Sequence, residues 1–226
     1  MGQMMSLLHK GAAWVRGDQN SDVVIGNSKL GTFVLHVMNL NDKGQSTYDQ
    51  ILRAEQGGGA FLPIQGNKVG LQKRIRPQTN DQAAYAKNFT EQLAAGNLSK
   101  LVEVEKLGRI SWEIPRGFPK LGEAGAATAL REAQEETQSE VTESSNLGFV
   151  CDNTAFSPHL TEMRFGKIDP SKKPKDKPDP NEKLLSGVVY YDFKGMNELI
   201  AKGELYCAYT LSAIGLWLIK NATIKT

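Results

Sequence analysis

The sequence predicts an α+β protein, an α/β/α sandwich around a mixed β-sheet with a small β extension ahead of it. Three observations predict it. Runs rich in β-branched and aromatic residues are broken by Gly-Asn pairs, which is a hairpin signal. Helical periodicity falls between the strand patterns at irregular intervals, which suits a mixed sheet covered by helices better than a doubly wound parallel sheet. The chain has 226 residues, 40% hydrophobic and 23% charged, enough for one domain with a full core plus an extension.

The first strand patterns cover residues 23–25 and 32–37, and the segment between them opens with Gly26-Asn27 as a turn. A third strand is expected near 48–53. Gly57-Gly58-Gly59 then breaks the chain, which sets a boundary: residues 1–57 as the β extension and 58–226 as the main domain. Residues 60–64 and 69–73 read as a second hairpin around Gly66-Asn67. Asn80-Asp81 caps a helical pattern through Ala84, Phe89 and Leu93 that ends at Gly96. Residues 101–116 return to strand and turn character, a helix is expected over 123–137, and a strand over 147–151. Residues 169–183 carry Pro170, Pro174, Pro178 and Pro180 among mixed charges and read as a solvated loop. A strand over 187–193, a short helix over 196–201 and a final helix from Leu205 complete the chain.

Composition removes several function classes. A net charge of +2 gives no electrostatic reason to expect nucleic acid or a membrane surface as partner. The two cysteines, Cys151 and Cys207, are far apart and form no CxxC pair, so neither zinc site nor disulfide framework is expected. The apolar stretch 205–219 includes Tyr206, Tyr209, Thr210 and Ser212 and is shorter than the roughly 20 residues of a membrane span. The N-terminus lacks a secretory apolar region, so the expected location is cytoplasmic. Met1-Gly2 followed by Ser6 has the spacing of a myristoylation site, but so short a pattern arises easily by chance.

The chemistry is concentrated in residues 116–137. Arg116-Gly117-Phe118-Pro119-Lys120-Leu121-Gly122-Glu123 forms a loop punctuated by Gly and Pro, and the helix that follows places Ala126, Leu130, Ala133 and Thr137 on one side, the expected core side. Glu132 and Glu136 lie one turn apart on a neighbouring face with Glu135 beside them. Three carboxylates so close repel one another. A hard cation removes the conflict, and oxygen-only ligands suit Mg²⁺, or Mn²⁺. A metal held this way neutralises phosphate oxygens and delivers a water nucleophile, which points to diphosphate hydrolysis.

An isolated acidic stretch would be a solvated helix face, and the surrounding spacing decides against that. Gly117, five residues, Glu123, seven residues, Arg131-Glu132, two residues, Glu135-Glu136 resembles the Nudix box. The resemblance to Nudix hydrolases implies a Nudix-type sandwich in which Glu132, Glu135 and Glu136 bind the metal and Glu123 and Arg131 form an ion pair bracing the loop on the helix. Gly117 would let the loop turn tightly beside the metal. Gln138 stands where the family has glycine, and Ala133 and Ser139 occupy flanking aliphatic positions. Since glycine there closes the helix in a left-handed conformation, Gln138 implies a different helix exit.

The wider resemblance leans toward ADP-ribose pyrophosphatases. Residues 58–76, ending Gln72-Lys73-Arg74-Ile75-Arg76, are similar to that subgroup's strand pair, and Trp112-Glu113-Ile114-Pro115-Arg116-Gly117 resembles its Trp-Glu-Leu-Pro-Ala-Gly. It implies that the Arg116 backbone carbonyl is a metal ligand and that Glu162, in Ser157-Pro158-His159-Leu160-Thr161-Glu162, is the candidate general base, with Glu135 a further catalytic carboxylate. Arg53, Arg74 and Arg76 are either binders of the substrate's phosphates or ribose, since guanidinium forks match phosphate oxygens, or ordinary surface arginines, and Glu113 is a further substrate-binding candidate. Trp112 is either an adenine platform or a core residue, and His159 either a phosphate donor or a solvated loop residue. Family members pair through an N-terminal β arm, so residues 1–57 are a candidate homodimer interface. The expected substrate is ADP-ribose or a nucleotide sugar. The competitors are a dinucleoside polyphosphate, coenzyme A, or a module that senses a nucleotide without cutting it.

Overall fold

The computed structural model describes residues 57–76, 109–154, 157, 159–174 and 185–221, with Glu91 and Ala95 singly, and the backbone alone of residues 222–223 and of three strands before residue 55. The N-terminal lipidation pattern, most of the helix expected after Asn80-Asp81, and the loop beyond residue 174 lie outside the described residues. The chain divides into two compact units, Met1–Gly58 with Phe149–Thr161, and Gly59–Gly148 with Glu162–Thr226.

The first unit holds an antiparallel meander, β1 (Val23–Asn27), β2 (Phe33–Leu40) and β3 (Ser46–Ala54), in the order β1-β2-β3. Gly26 and Asn27, expected to form the turn, instead lie in β1 opposite Val34 and Phe33, and the register shifts between Val24 and Gly26. Glycine without a side chain to pack tolerates such a bulge, and the shift keeps the strand running through the Gly-Asn pair. Gly57 runs close to the Leu160 carbonyl, where an added Cβ would sit at 2.2 Å.

In the second unit, β4 (Gly59–Gln65) and β5 (Lys68–Arg76) form a hairpin closed at Gly66, whose φ of 62° is open to glycine at little steric cost. The main sheet runs β10-β5-β4-β9-β8, with β8 (Glu140–Val150), β9 (Thr161–Asp169) and β10 (Val189–Tyr191). The short strands β6 (Arg109–Glu113) and β7 (Arg116–Gly117) pair antiparallel with β5 and β4. The pairing of β4 with β9 is parallel and the others around it antiparallel, so the sheet is mixed. Among the described residues three helices, α1 (Gly125–Thr137), α2 (Phe193–Ala201) and α3 (Ala208–Thr223), accompany it. The core gathers Phe61, Leu62, Val69, Leu71, Ile114 and Met163, none of which is exposed.

Local contacts position the site. An added Cβ on Gly59 would fall 2.3 Å from both the Ala129 amide and the Gly125 carbonyl, so only glycine lets α1 lie this close to β4. The free edge of β6 is satisfied by the C-terminal segment: the Trp112 amide donates to the Glu204 carbonyl at 2.8 Å and the Ile114 amide to Thr210 Oγ1 at 3.2 Å. The start of α2 is capped by Asp192, which accepts from the Gly195 amide. Among the described residues no helix is long and apolar enough to cross a membrane.

Helix α1 corrects the expected core face. The buried residues are Thr128, Ala129, Glu132, Ala133 and Glu136, while Ala126, Leu130 and Thr137 are half-buried. Glu132 and Glu136 therefore lie on the face turned to the sheet. Apolar periodicity misplaced the stripe because buried charge is tolerated where it is paired, and the helix itself pairs Glu132 while the sheet pairs Glu136. The helix exit is also corrected. Gln138 takes the left-handed conformation, φ 52° and ψ 37°, that glycine usually supplies. Its side-chain amide donates to the Glu135 carbonyl at 2.7 Å and its backbone amide to the Gln134 carbonyl at 2.9 Å, which offsets the steric penalty of a Cβ in that region.

Candidate active site

Arg131 organises the loop and the first two carboxylates. Its Nε and Nη2 donate to Glu123 at 3.0 and 2.9 Å, and Nη2 also reaches the Phe118 carbonyl at 2.9 Å, so the loop before the helix is tied to the middle of α1. Its Nη1 donates to Glu132 at 2.8 Å and to Glu135 at 2.7 Å. Two carboxylates thus converge on one nitrogen. Glu123 also accepts from the Lys120 amide and the Thr128 hydroxyl. The Arg131 hydrogen bond first, then these donors, hold its carboxyl at about 2, well below the usual range, and Glu123 in turn raises the Arg131 guanidinium.

Gly117 explains how Glu132 fits. A Cβ on Gly117 would lie 2.2 to 2.6 Å from all three carboxylate atoms of Glu132, so the missing side chain is the space the carboxylate occupies. Sheet register then connects this point to Glu162. Gly59 is the partner of Gly117 on one side and of Glu162 on the other, which sets Glu162 two strands away in the same row, roughly 10 Å between Cα atoms at the usual strand spacing. Arg164 Nη1 and Asn146 Nδ2 approach the Glu162 carboxylate at 3.1 and 3.4 Å and fix its orientation.

Glu136 faces a different arginine. Gln72, Arg74 and Arg76 alternate along β5 and share one face. Arg74 pairs with the Glu136 carboxylate, both side chains almost fully buried at 5% and 1% exposure. Gln72 Nε2 donates to the Glu136 carbonyl at 2.9 Å. Arg76 makes two bonds, of 2.9 and 2.5 Å, to Glu113, and Arg116 Nη2 lies 3.4 Å from the same carboxylate while its guanidinium covers the Tyr209 ring at 5.0 Å. Burial pushes the Glu113 carboxyl up, but the Arg76 hydrogen bonds and the Arg116 charge overcome it and hold it at about 2.

The expected site residues therefore divide. Glu132, Glu135, Arg131 and Glu123 come together around Gly117. Arg76 and Arg116 gather on Glu113, and Arg74 is buried against Glu136. Only the backbone of Arg53 is described, paired with Val34 in the meander. Trp112 is a core residue: it is buried, meets Tyr191 edge to face at 5.1 Å and donates to Glu204 at 3.2 Å, leaving no face for a base. His159 is buried rather than solvated. The roles of Gly59 and Tyr209 had no signal in the sequence, whereas Gln72 lies in the run 72–76 already singled out. The polar residue at every second position of β5 was the signal for Gln72 and Arg74.

Among the described residues no three acidic, histidine or cysteine side chains stand together around a single metal position, because arginines hold the carboxylates. The donor set nonetheless fits a hard divalent cation. Its side-chain donors are carboxylate oxygens, Glu132 and Glu135 already converge on the positive charge of Arg131 Nη1, and the Gly117 gap leaves the Glu132 carboxylate room beside the backbone that carries the Arg116 carbonyl.

Residues 101–202 match the family model of the NUDIX domain. No curated protein matches the chain's sequence. Among solved structures, the crystal structure of an ADP compounds hydrolase is similar, with a TM-score of 0.58 and 15% sequence identity over 92% of this chain and 95% of that one. At that identity the likeness is one of fold.

Proposed function

We propose, for a chain that carries a NUDIX domain over residues 101–202, that it hydrolyses the diphosphate linkage of a nucleoside diphosphate derivative, ADP-ribose or a nucleotide sugar, to a nucleoside monophosphate and a sugar phosphate. The observation that carries this reading is the meeting of Glu132 and Glu135 at Arg131 beside the Gly117 gap. Proteins with this domain generally use divalent metal ions, and Mg²⁺ is the ion proposed here. The similar fold of an ADP compounds hydrolase supports the choice of substrate class.

Glu132, Glu135 and Glu136, with the Arg116 carbonyl, would hold the ion. When bound, it neutralises diphosphate oxygens and lowers the pKa of a water. Glu162 takes the proton of the attacking water, its carboxylate oriented by Arg164 and Asn146. Arg76 and Arg116, each about 30% exposed and tethered by Glu113, present guanidinium forks that match phosphate oxygens. Residues 1–57 are proposed as an arm that pairs two copies.

Release of AMP from ADP-ribose with Mg²⁺, beside a panel of other nucleoside diphosphate compounds, tests the reading. Turnover of ADP-ribose that is lost in Glu136→Gln supports it. Turnover of a dinucleoside polyphosphate or coenzyme A instead moves the substrate, and nucleotide binding without turnover of any compound replaces the enzyme with a sensing module.

A further inference from the structure

We infer that Arg74 is the resident counter-ion of Glu136, which a divalent cation must displace, so that Arg74 sets the affinity of the metal site. The inference rests on the reading of Glu136 as a metal ligand. Helix α1 ends with Glu135 and Glu136 in its last turn and no basic residue there. Carboxylates at a helix C-terminus face the negative end of the backbone dipole. Glu136 is in addition only 4% exposed, and a buried carboxylate needs a cation within reach. Arg74 supplies it from β5.

Arg131 has anchors besides Glu132 and Glu135. Arg131 is bonded to Glu123 and to the Phe118 carbonyl, so it keeps its place when Glu132 and Glu135 change partner. The Glu136 backbone is pinned by Gln72, so a change of partner there involves the side chain alone. A guanidinium and a metal ion compete for the same carboxylate oxygens. Arg74 therefore stabilises the metal-free protein and opposes metal binding.

This separates Arg74 from an ordinary structural arginine through linkage. If it holds Glu136 only while the metal is absent, its removal destabilises the metal-free state alone and metal binding tightens. If it holds Glu136 in both states, its removal destabilises both alike. The experiment titrates Mn²⁺ into the full chain without substrate, by calorimetry, for wild type, Arg74→Met and Arg74→Lys, and measures Tm in EDTA and in excess Mn²⁺. Arg74→Met is expected to lose Tm in EDTA, to regain most of it with Mn²⁺ and to bind Mn²⁺ at least about tenfold more tightly. Arg74→Lys keeps the charge but loses the fork, and a smaller tightening is expected; it decides the matter alone if Arg74→Met does not fold. Unchanged or weaker Mn²⁺ binding, with Tm lowered equally in both conditions, overturns the inference. Wild type that takes up no Mn²⁺ overturns it together with the metal reading of Glu136, whereas wild type that binds while the variants bind no more tightly removes only the role of Arg74.

Discussion

Glu132 and Glu135 meet an arginine from their own helix, whereas Glu136 meets one from a strand that lies far earlier in the sequence. The first arrangement is local and partly open: Arg131 sits between a loop and a helix turn, 12% exposed. The second is distant in sequence and sealed, with Gln72 and Arg74 buried under the end of α1. A carboxylate cluster that would repel itself is thus divided between two cations, one at the rim and one in the core. The division teaches that arginines from two different elements let an acidic helix pack against the sheet without self-repulsion.

The comparison breaks most visibly in activity. Glu136→Gln keeps the side chain's size but removes a proposed ligand and the charge facing Arg74. The loss of turnover should exceed the roughly 10–100-fold that follows loss of a metal site's outer partners, read as kcat with Mg²⁺ on the substrate that the panel identifies. The next effect separates stability from binding. In Gly59→Ala the new Cβ meets backbone atoms of α1, which cannot swing aside, and a destabilisation of about 2–3 kcal/mol is expected from denaturant unfolding. In Gly117→Ala it meets the carboxylate of the Glu132 side chain, which unlike backbone can shift by rotating its torsions. Mn²⁺ affinity should fall there with little change in stability. Equal stability losses in the two variants would show that Glu132 is as rigid as the helix backbone.

Acid sharpens the contrast further. Glu123 and Glu113 are both held at about 2, against an ordinary value of 4.5. A carboxyl depressed on folding contributes stability that is complete above its unfolded value and is lost as pH falls toward its folded one. Tm should therefore be flat from pH 7 to about 5 and fall between there and about pH 2. Glu123→Gln should start lower at neutral pH and fall less steeply, since that group no longer titrates. A variant with the wild-type acid slope would show that Arg131 gains nothing from Glu123 in the folded state.

The sequence made the local half of this site legible and left the distant half obscure. Gly117, Glu123, Arg131 and the three glutamates lie within a short segment, so helical spacing brings Arg131 to Glu135 and the loop just before the helix returns Glu123 to it. The mixed sheet with helices was legible too, from strand runs and turns. The burial of the glutamates was not, because Ala126, Leu130, Ala133 and Thr137 form an apolar stripe that suggested another face. Which face of α1 meets the sheet depends on Gly59 and Arg74, and no pattern within the helix encodes them. The same reason hid the partnership of Arg76 with Glu113, which β5 and β6 bring together by pairing across a long intervening segment.

Gln138 carries the smallest and most discriminating effect, because there a residue departs from the expected pattern and the backbone does not. Two terms act in opposite directions at this position. A Cβ in the left-handed region is unfavourable by about 1 kcal/mol, and the side-chain bond to the Glu135 carbonyl returns about the same amount. Gln138→Ala keeps the Cβ and loses the bond, so it should be destabilised by about 1 kcal/mol. Gln138→Gly loses both the bond and the strain, so its stability should lie within about 0.5 kcal/mol of wild type. Urea unfolding of the three proteins at one pH measures the difference. If glycine were no better than alanine, the helix would not leave through a left-handed residue in solution, and the position of Glu135 and Glu136 in the last turn would need another support.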